Sequence, residues 1–194
     1  VSKFARQDVT VILSGVGGDE LFGGYKRYLD EHYRSLYRRI PGAIRSGVIA
    51  PLARALPSDR HSRVLNQMRL AKAFLLADAL PFEERYRAYL QVYDADELAA
   101  LLRGGVSEAF DDCIARGFAE AQTADPLRQL MDVDFATQLP DDLLLLTDKM
   151  SMAVSLECRV PLLDQRLVEL AARMPGHLKV RGGELKHLMK RALA

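Results

Sequence analysis

The sequence contains no tryptophan and only two cysteines, and its charges almost cancel to a net +1. Two cysteines do not suggest the disulfide framework of a small secreted domain, and Cys113 and Cys158 form no metal-spaced cluster. The balanced charge provides no general attraction to nucleic acid or to an anionic membrane. The longest apolar runs, such as residues 143–146, are far shorter than the ~20 residues that span a membrane. Since no signal peptide is readable, we expect a cytoplasmic protein with neither a nucleic-acid nor a membrane partner.

What the chain does have is a large apolar fraction, 49% of 194 residues. This is enough to bury a core and suits one domain or a large part of one. Apolar residues recur every three or four positions over most of the chain, which predicts a mostly helical protein. Helices are predicted over residues 25–40, from Pro81 onward, from Asp94 to Gly104, from Pro126 to the residue before Pro140, and over residues 185–192, with a break at residues 57–59.

Residues 9–14 are predicted to form the one convincing strand. The run from Val9 to Ile12 is too uniformly apolar for a half-exposed strand and is typical of a parallel strand covered on both faces. One such strand cannot satisfy its own backbone hydrogen-bonding groups, so it needs neighbouring strands. We therefore expect an α/β fold that is predominantly helical.

The glycine-rich turn after this strand has the composition of an anion-binding loop. Gly15, Gly17 and Gly18 allow a sharp turn and let bare N–H groups approach an anion, because no Cβ stands in the way. Asp19 and Glu20 follow where a carboxylate could hold the Mg²⁺ that accompanies a polyphosphate. The sequence predicts a site for phosphate and a metal ion here.

Two common glycine motifs do not match this loop. A dinucleotide fingerprint needs a third glycine where Glu20 stands, and a Walker A loop needs Gly-Lys-Ser/Thr after its turn. A structural alternative stays open, in which residues 14–18 are only a tight connection between a strand and a helix.

The helix predicted next along the chain combines an aromatic stripe with basic residues. Tyr25, Tyr28 and Tyr33 share one face, and such a stripe favours packing into the core over stacking on nucleic-acid bases. Basic residues opposite an apolar face are typical of a solvated helix.

Two separated motifs resemble the asparagine synthetase family, the ATP-dependent amide ligases that use glutamine. The first is Ser-Gly-Val-Gly-Gly-Asp-Glu-Leu-Phe-Gly-Gly-Tyr at residues 14–25. The second is Asp-Lys-Met-Ser-Met-Ala at residues 148–153, followed by Leu-Glu-Cys-Arg-Val-Pro-Leu-Leu-Asp at residues 156–164. Gly-Gly-Glu-Leu-Lys at residues 182–186 also fits. The resemblance covers nearly the whole chain, although residues 40–125 carry it only weakly.

The resemblance implies that residues 1–194 are part of a synthetase domain of the PP-loop ATP pyrophosphatase type, which is similar to the adenine-nucleotide α-hydrolases. In this family a Ser-Gly-Gly-x-Asp-Ser pyrophosphate loop and a glutaminase domain lie upstream, and a catalytic lysine in an Arg-x-Lys segment lies downstream. None of these is found in the sequence. We therefore expect an internal piece of a larger enzyme, with the glutaminase domain of the same chain as a partner and a homodimer left open.

The chemistry implied by the resemblance is carboxylate activation. An amino-acid carboxylate attacks the α-phosphorus of ATP, pyrophosphate leaves, and ammonia released from glutamine then displaces AMP from the acyl-adenylate. In this scheme Ser14 and Gly15 contact the nucleotide, and Gly17 and Gly18 permit the close approach of pyrophosphate. Asp19 holds Mg²⁺, and Glu20 belongs to the same nucleotide and pyrophosphate site.

The second motif places several charges around an apolar surface, and two interpretations of them stay open. By resemblance, this region lines the amino-acid side of the cleft, which makes Glu157 the candidate catalytic residue that contacts or polarises the attacking group. In the structural alternative, Arg159 and one of the nearby acids form an ion pair that holds the turn before Pro161.

One departure from the family pattern concerns the substrate. Asparagine-forming members usually carry glutamate where this chain has Val16. Conversion of aspartate to asparagine is the expected reaction, and amidation of another carboxylate or closure of a lactam ring are alternatives. A helical interaction domain that has kept the fold and lost the chemistry is the alternative from another class.

Overall fold

A computed structural model of the chain describes residues 1–55, 68, 71–72, 74–90, 99–102 and 112–194. The chain divides into two compact units, one formed by Val1–His32 with Asp112–Ala194 and the other by Tyr33–Asp111. The break predicted at residues 57–59 lies outside the described residues, and of the helix predicted from Asp94 to Gly104 only residues 99–102 are described, of which 99–101 are helical.

The first unit contains both motifs and is built on a small parallel sheet. Strand β1, Val11–Leu13, pairs with strand β2, Glu157–Arg159, with Val11 opposite Glu157 and Leu13 opposite Arg159. The parallel neighbour that the sequence required is therefore present, although β1 is shorter than the predicted strand. Together with the many helices, this sheet is consistent with the α/β class.

The expectation that this strand is covered on both faces does not hold within the described part of the chain. Val11 and Leu13 are 38% and 72% exposed, whereas Ile12 and Cys158, on the opposite face, are half-buried. Alternate side chains of a strand point to opposite faces, so only one face of the sheet is packed here.

The rest of the first unit is mostly helical. The helices are α1 (Ser2–Ala5), α2 (Gly18–Phe22), α3 (Lys26–Tyr37, within which the boundary between the units falls), and, after the second unit, Cys113–Glu120, Pro126–Ala136, Leu145–Met152, Gln165–Arg173, Gly176–Lys179 and His187–Leu193. A π-helical turn, Leu139–Leu144, continues the chain past Pro140, and a 3₁₀ turn, Pro161–Leu163, follows β2.

The helix Pro126–Ala136 begins where the sequence predicts. Asp125 Oδ1 accepts a hydrogen bond from the Leu127 amide at 3.0 Å, and proline occupies the first helical turn. Both features satisfy or avoid the free donors of a helix start. The second Asp125 oxygen accepts the Gly176 amide at 2.9 Å, which ties this cap to the start of Gly176–Lys179.

The core of the first unit lies under the loop that follows β1. Leu21 and Phe22 of α2 are buried with Ala171, and Phe135, Leu167 and Met189 are among the partly buried side chains around them. Short helix α2 is therefore held in place by three other helices, which gives the residues at its start a rigid support.

The second unit is helical in its described residues. Gly42–Ile44 and Ala50–Ala55 are joined by a π-helical segment, Arg45–Ile49, and a further helix covers Phe82–Leu90. The helix predicted from Pro81 onward is confirmed. No helix in the described ranges is both long and apolar enough to cross a membrane.

Candidate active site

The glycine loop lies at the carboxyl edge of the parallel sheet. The amide of Ser14 donates to the carbonyl of Arg159 at 2.8 Å, so the loop leaves β1 directly beside the end of β2. This edge is where α/β proteins with parallel strands bind their ligands. The pairing of β1 with β2 thus brings the two sequence motifs together.

Two glycines of the loop are packed against the turn that follows β2. Gly17 has φ of +90°, and a Cβ added to it would lie 2.3 Å from Leu163 Cδ2. A Cβ on Gly18 would lie 2.9 Å from Leu162 Cδ1. The glycines therefore serve the close contact between the loop and Pro161–Leu163, a requirement that was not predicted from the sequence.

Several loop amides have no acceptor among the described residues. The N–H groups of Gly15, Gly17 and Asp19 donate to no backbone or side-chain atom there, whereas the Val16 amide donates to Ser14 Oγ at 3.3 Å. Gly17 is buried, and a buried N–H without a partner is uncommon in folded proteins. The Gly18 amide is also engaged, with the Gly15 carbonyl at 3.2 Å, so the free amides alternate along the loop, where each is a donor available to an anion.

Asp19 lies in the first turn of α2 and forms an ion pair with Lys186. Its Oδ1 is 3.0 Å from Lys186 Nζ, and the two side chains are 38% and 32% exposed. Exposed pairs contribute little to stability. The pair matters for the chemistry of the site rather than for stability, because it places a carboxylate and an ammonium group beside the loop.

A tight turn just before Lys186 sets the position of this lysine. Gly182 and Gly183 both have positive φ, 59° and 81°, and Arg181 and Glu184 pair across them. Two positive φ values are typical of a type I′ turn, which favours glycine. Lys186 itself has φ of +53°, and its amide donates to the Gly23 carbonyl at 3.2 Å.

Gly24 lies directly against the ion pair of Asp19 and Lys186. A Cβ at this position would lie 1.6 Å from Asp19 Oδ1 and 2.4 Å from Lys186 Cε. Sequence reasoning missed Lys186 and Gly24 as site residues. The signal that could have found both is their presence in the matching motifs, at residues 14–25 and 182–186.

Glu20, predicted as part of the nucleotide site, is only 2% exposed. Its carboxylate accepts a hydrogen bond from the hydroxyl of Tyr25. Burial and the neighbouring Glu20 carboxylate raise the pKa of Tyr25 above its ordinary value, so this hydroxyl stays protonated as a donor. A role for Glu20 in ligand contact stays a prediction.

In the part of the chain that the structure describes, Glu157 forms no hydrogen bond or ion pair with Asp19. It opens β2 opposite Val11, and its Oε1 accepts a hydrogen bond from Arg159 Nε at 2.7 Å. Both side chains are exposed, on the open face of the sheet. Arg159 is therefore paired with a nearby acid, as in the structural alternative, whereas its hold on the turn before Pro161 and a catalytic role for Glu157 both stay predictions.

A metal ion would find one exposed carboxylate at the loop. No group of three His, Cys, Asp or Glu side chains suited to a metal occurs in the residues that the structure describes. Mg²⁺ is commonly held by one or two carboxylates together with substrate phosphates and water. Asp19 meets that requirement, and Lys186 supplies a second charge suited to phosphate.

Parallel strands followed by a glycine loop with free amides, a carboxylate and a lysine are features typical of α/β proteins that bind phosphate. The asparagine synthase family model matches residues 1–194, and the chain belongs to this family. No solved structure matches the chain.

Curated relatives carry names from the same family. "Asparagine synthetase [glutamine-hydrolyzing] 1" of Bacillus subtilis (strain 168) is 31% identical over 193 residues, which is 99% of this chain and 29% of the relative. "Putative asparagine synthetase [glutamine-hydrolyzing]" of Mycobacterium tuberculosis (strain ATCC 25618 / H37Rv) is 33% identical over 194 residues, which is 100% of this chain and 28% of the relative. The chain thus spans less than a third of the length of these relatives.

Proposed function

We propose that this chain forms part of an ATP-dependent ligase that converts aspartate to asparagine with ammonia from glutamine. The proposal rests on membership of the asparagine synthase family and on the names of the relatives. The structural observation that carries it is the meeting of free loop amides, Asp19 and Lys186 at the carboxyl edge of the sheet.

In the proposed reaction a carboxylate oxygen attacks the α-phosphorus of ATP, and the bond to the bridging oxygen of pyrophosphate breaks. Ammonia then attacks the activated carbonyl carbon and AMP leaves. Negative charge builds on pyrophosphate in the first step. The amides of Gly15, Gly17 and Asp19 are preorganised donors for that charge, and Lys186 adds a positive group close by.

Asp19 is the proposed ligand of Mg²⁺, and Ser14 and Gly15 are the proposed nucleotide contacts. With Mg²⁺ bound, part of the charge on pyrophosphate is neutralised. Lys186 pairs with Asp19 in this structure at 3.0 Å. In this proposal the lysine keeps the carboxylate in position before the nucleotide binds. It then binds the phosphate oxygens together with Mg²⁺.

Glu157 is the proposed contact for the amino-acid substrate, and Val16 is the neutral side chain that leaves other carboxylate substrates open. The wider proposals are a PP-loop synthetase fold and a glutaminase domain in the full-length protein. A cytoplasmic location is proposed with them, and a homodimer stays open.

The test is carboxylate-dependent ATP–pyrophosphate exchange by the full-length protein, with aspartate and a panel of other acids. We expect Asp19→Asn to lower the exchange rate by about 100-fold, because one electrostatic contact to the transition state is typically worth this much. Asp8→Asn is the matched control, since Asp8 is an exposed carboxylate just before β1.

Exchange with aspartate alone would support the asparagine-forming reaction, and exchange with a different acid would redirect the substrate. Exchange that is unchanged in Asp19→Asn would contradict the metal role. No exchange with any acid would favour the non-catalytic interaction domain.

A further inference from the structure

A chain of contacts links Asp19 to a fully buried carboxylate, that of Asp134. Asp134, on Pro126–Ala136, has no exposed surface. Arg27 holds it with two bonds, from Nη2 to Oδ1 at 2.7 Å and from Nε to Oδ2 at 3.1 Å. Tyr28 donates its hydroxyl to the same carboxylate. Two-point arginine–carboxylate pairs fix geometry as well as charge, so the Arg27 guanidinium is held in a defined position.

Tyr25 lies on this guanidinium. The Cζ atom of Arg27 is 4.2 Å from the centre of the Tyr25 ring, a distance at which the cation attracts the ring face. The Tyr25 hydroxyl donates to the buried carboxylate of Glu20. Tyr25 is therefore restrained at its ring by α3 and at its hydroxyl by α2.

Gly24 transmits the position of Tyr25 to Asp19. The amides of Gly23 and Gly24 both donate to the Asp19 carbonyl at 2.9 Å. The Asp19 carboxylate lies directly against Gly24, where even a methyl group would overlap it. A displacement of Tyr25 therefore moves the backbone surface that sets the direction of the Asp19 side chain.

We infer that Tyr25 is a positioning residue for Asp19, which it holds in a metal-binding orientation through Gly24 while Arg27 and Glu20 fix the tyrosine. This inference rests on the proposed function, because it assigns a support to the proposed metal ligand. In this arrangement Glu20 acts through Tyr25 rather than by touching the ligand.

The experiment compares Tyr25→Phe with Tyr37→Phe in the full-length protein. Tyr37 contacts Phe74 and Arg45 with its ring, and its hydroxyl makes no hydrogen bond among the described residues. The first readout is binding of Mn²⁺ in the presence of pyrophosphate, followed by electron paramagnetic resonance of the free ion. The second is the Mg²⁺ dependence of ATP–pyrophosphate exchange.

We expect Tyr25→Phe to weaken Mn²⁺ binding about tenfold, the size of one lost hydrogen bond to a charged group. Excess Mg²⁺ should restore most of the exchange rate, since metal binding itself can draw Asp19 into place. A merely structural role would lower the rate equally at every Mg²⁺ concentration and leave the half-saturating concentration unchanged.

The Asp19→Asn variant distinguishes failure of the positioning role of Tyr25 from failure of the proposed metal site at Asp19. If Asp19→Asn weakens Mn²⁺ binding and Tyr25→Phe does not, the positioning role is wrong and the proposed metal site stands. If Asp19→Asn has no effect on Mn²⁺ binding, the metal site is wrong and the inference falls with it. Should Tyr25→Phe fail to fold, the double variant Glu20→Met/Tyr25→Phe removes both hydrogen-bonding partners and leaves no buried carboxylate without a donor. The same tenfold weakening is expected of it.

Discussion

Replacing Gly24 by alanine should lower activity at the candidate site while leaving the stability of the fold nearly unchanged. The new Cβ would lie 1.6 Å from Asp19 Oδ1 in the present arrangement. Non-bonded atoms settle at about 3.5 Å, so the carboxylate has to retreat by about 2 Å. The Cβ would also lie 2.4 Å from Lys186 Cε, which forces the lysine away as well.

The expected loss of activity follows from that displacement. Misplacing a catalytic group by about 1 Å can lower a rate by about 100-fold, so Gly24→Ala should reduce ATP–pyrophosphate exchange by at least that factor. A factor of 100 corresponds to about 2.7 kcal/mol of barrier. The exchange assay on the full-length protein measures it directly.

The stability of the Gly24→Ala variant should change by less than about 1 kcal/mol. Loss of the exposed Asp19–Lys186 pair costs about 0.2–1 kcal/mol, because solvent screens it. Replacement of a glycine restricts the unfolded chain and offsets about 0.4–1 kcal/mol of that cost. Urea unfolding with intrinsic tyrosine fluorescence gives the value. Exchange within threefold of wild type, at full stability, would refute the reasoning that Asp19 is held by contact with Gly24.

Two further predictions concern buried charges. Burial lowers the pKa of Lys179 to about 8 in the folded chain, whereas an unfolded chain has the ordinary lysine pKa of about 10.4. Between these two pH values the unfolded chain therefore binds more protons at Lys179 than the folded chain does. The free energy of unfolding should therefore rise with pH across pH 8–10, by on the order of 1–2 kcal/mol, and Lys179→Met should abolish the rise; an equal slope in the variant would contradict this assignment. Asp134→Asn should cost about 3–5 kcal/mol, because it leaves the charge of Arg27 without its buried partner; chemical unfolding measures the loss, and a cost below 1 kcal/mol would show that water replaces the carboxylate.

The strand and the glycine loop were predictable because their signals are local. A β-branched run followed by glycines and two acids limits the backbone to few conformations. The cap at Asp125 and the following proline are equally local, and the helix Pro126–Ala136 begins where they predict. The parallel partner of β1 was required by the chemistry of its backbone alone.

Side-chain exposure and long-range partners were not predictable in the same way. Val11 and Leu13 have the composition of covered residues, yet the described structure leaves their face open. Asp19 pairs with Lys186, and Arg27 pairs with Asp134. Each of these partners is more than a hundred residues away in the sequence. No periodicity links such positions, because they meet only through the packing of separate helices.

The amino-acid sequence by itself determined the family, the glycine loop and the acid that follows it, since these depend on neighbouring residues and on motifs. Only the tertiary structure decided that Gly17 and Gly18 face Leu163 and Leu162, that Gly24 lies against Asp19, and that Glu20 is buried under Tyr25. The physical reason is that a side chain's role depends on which surface it meets, and that surface is assembled from segments that are distant in the chain.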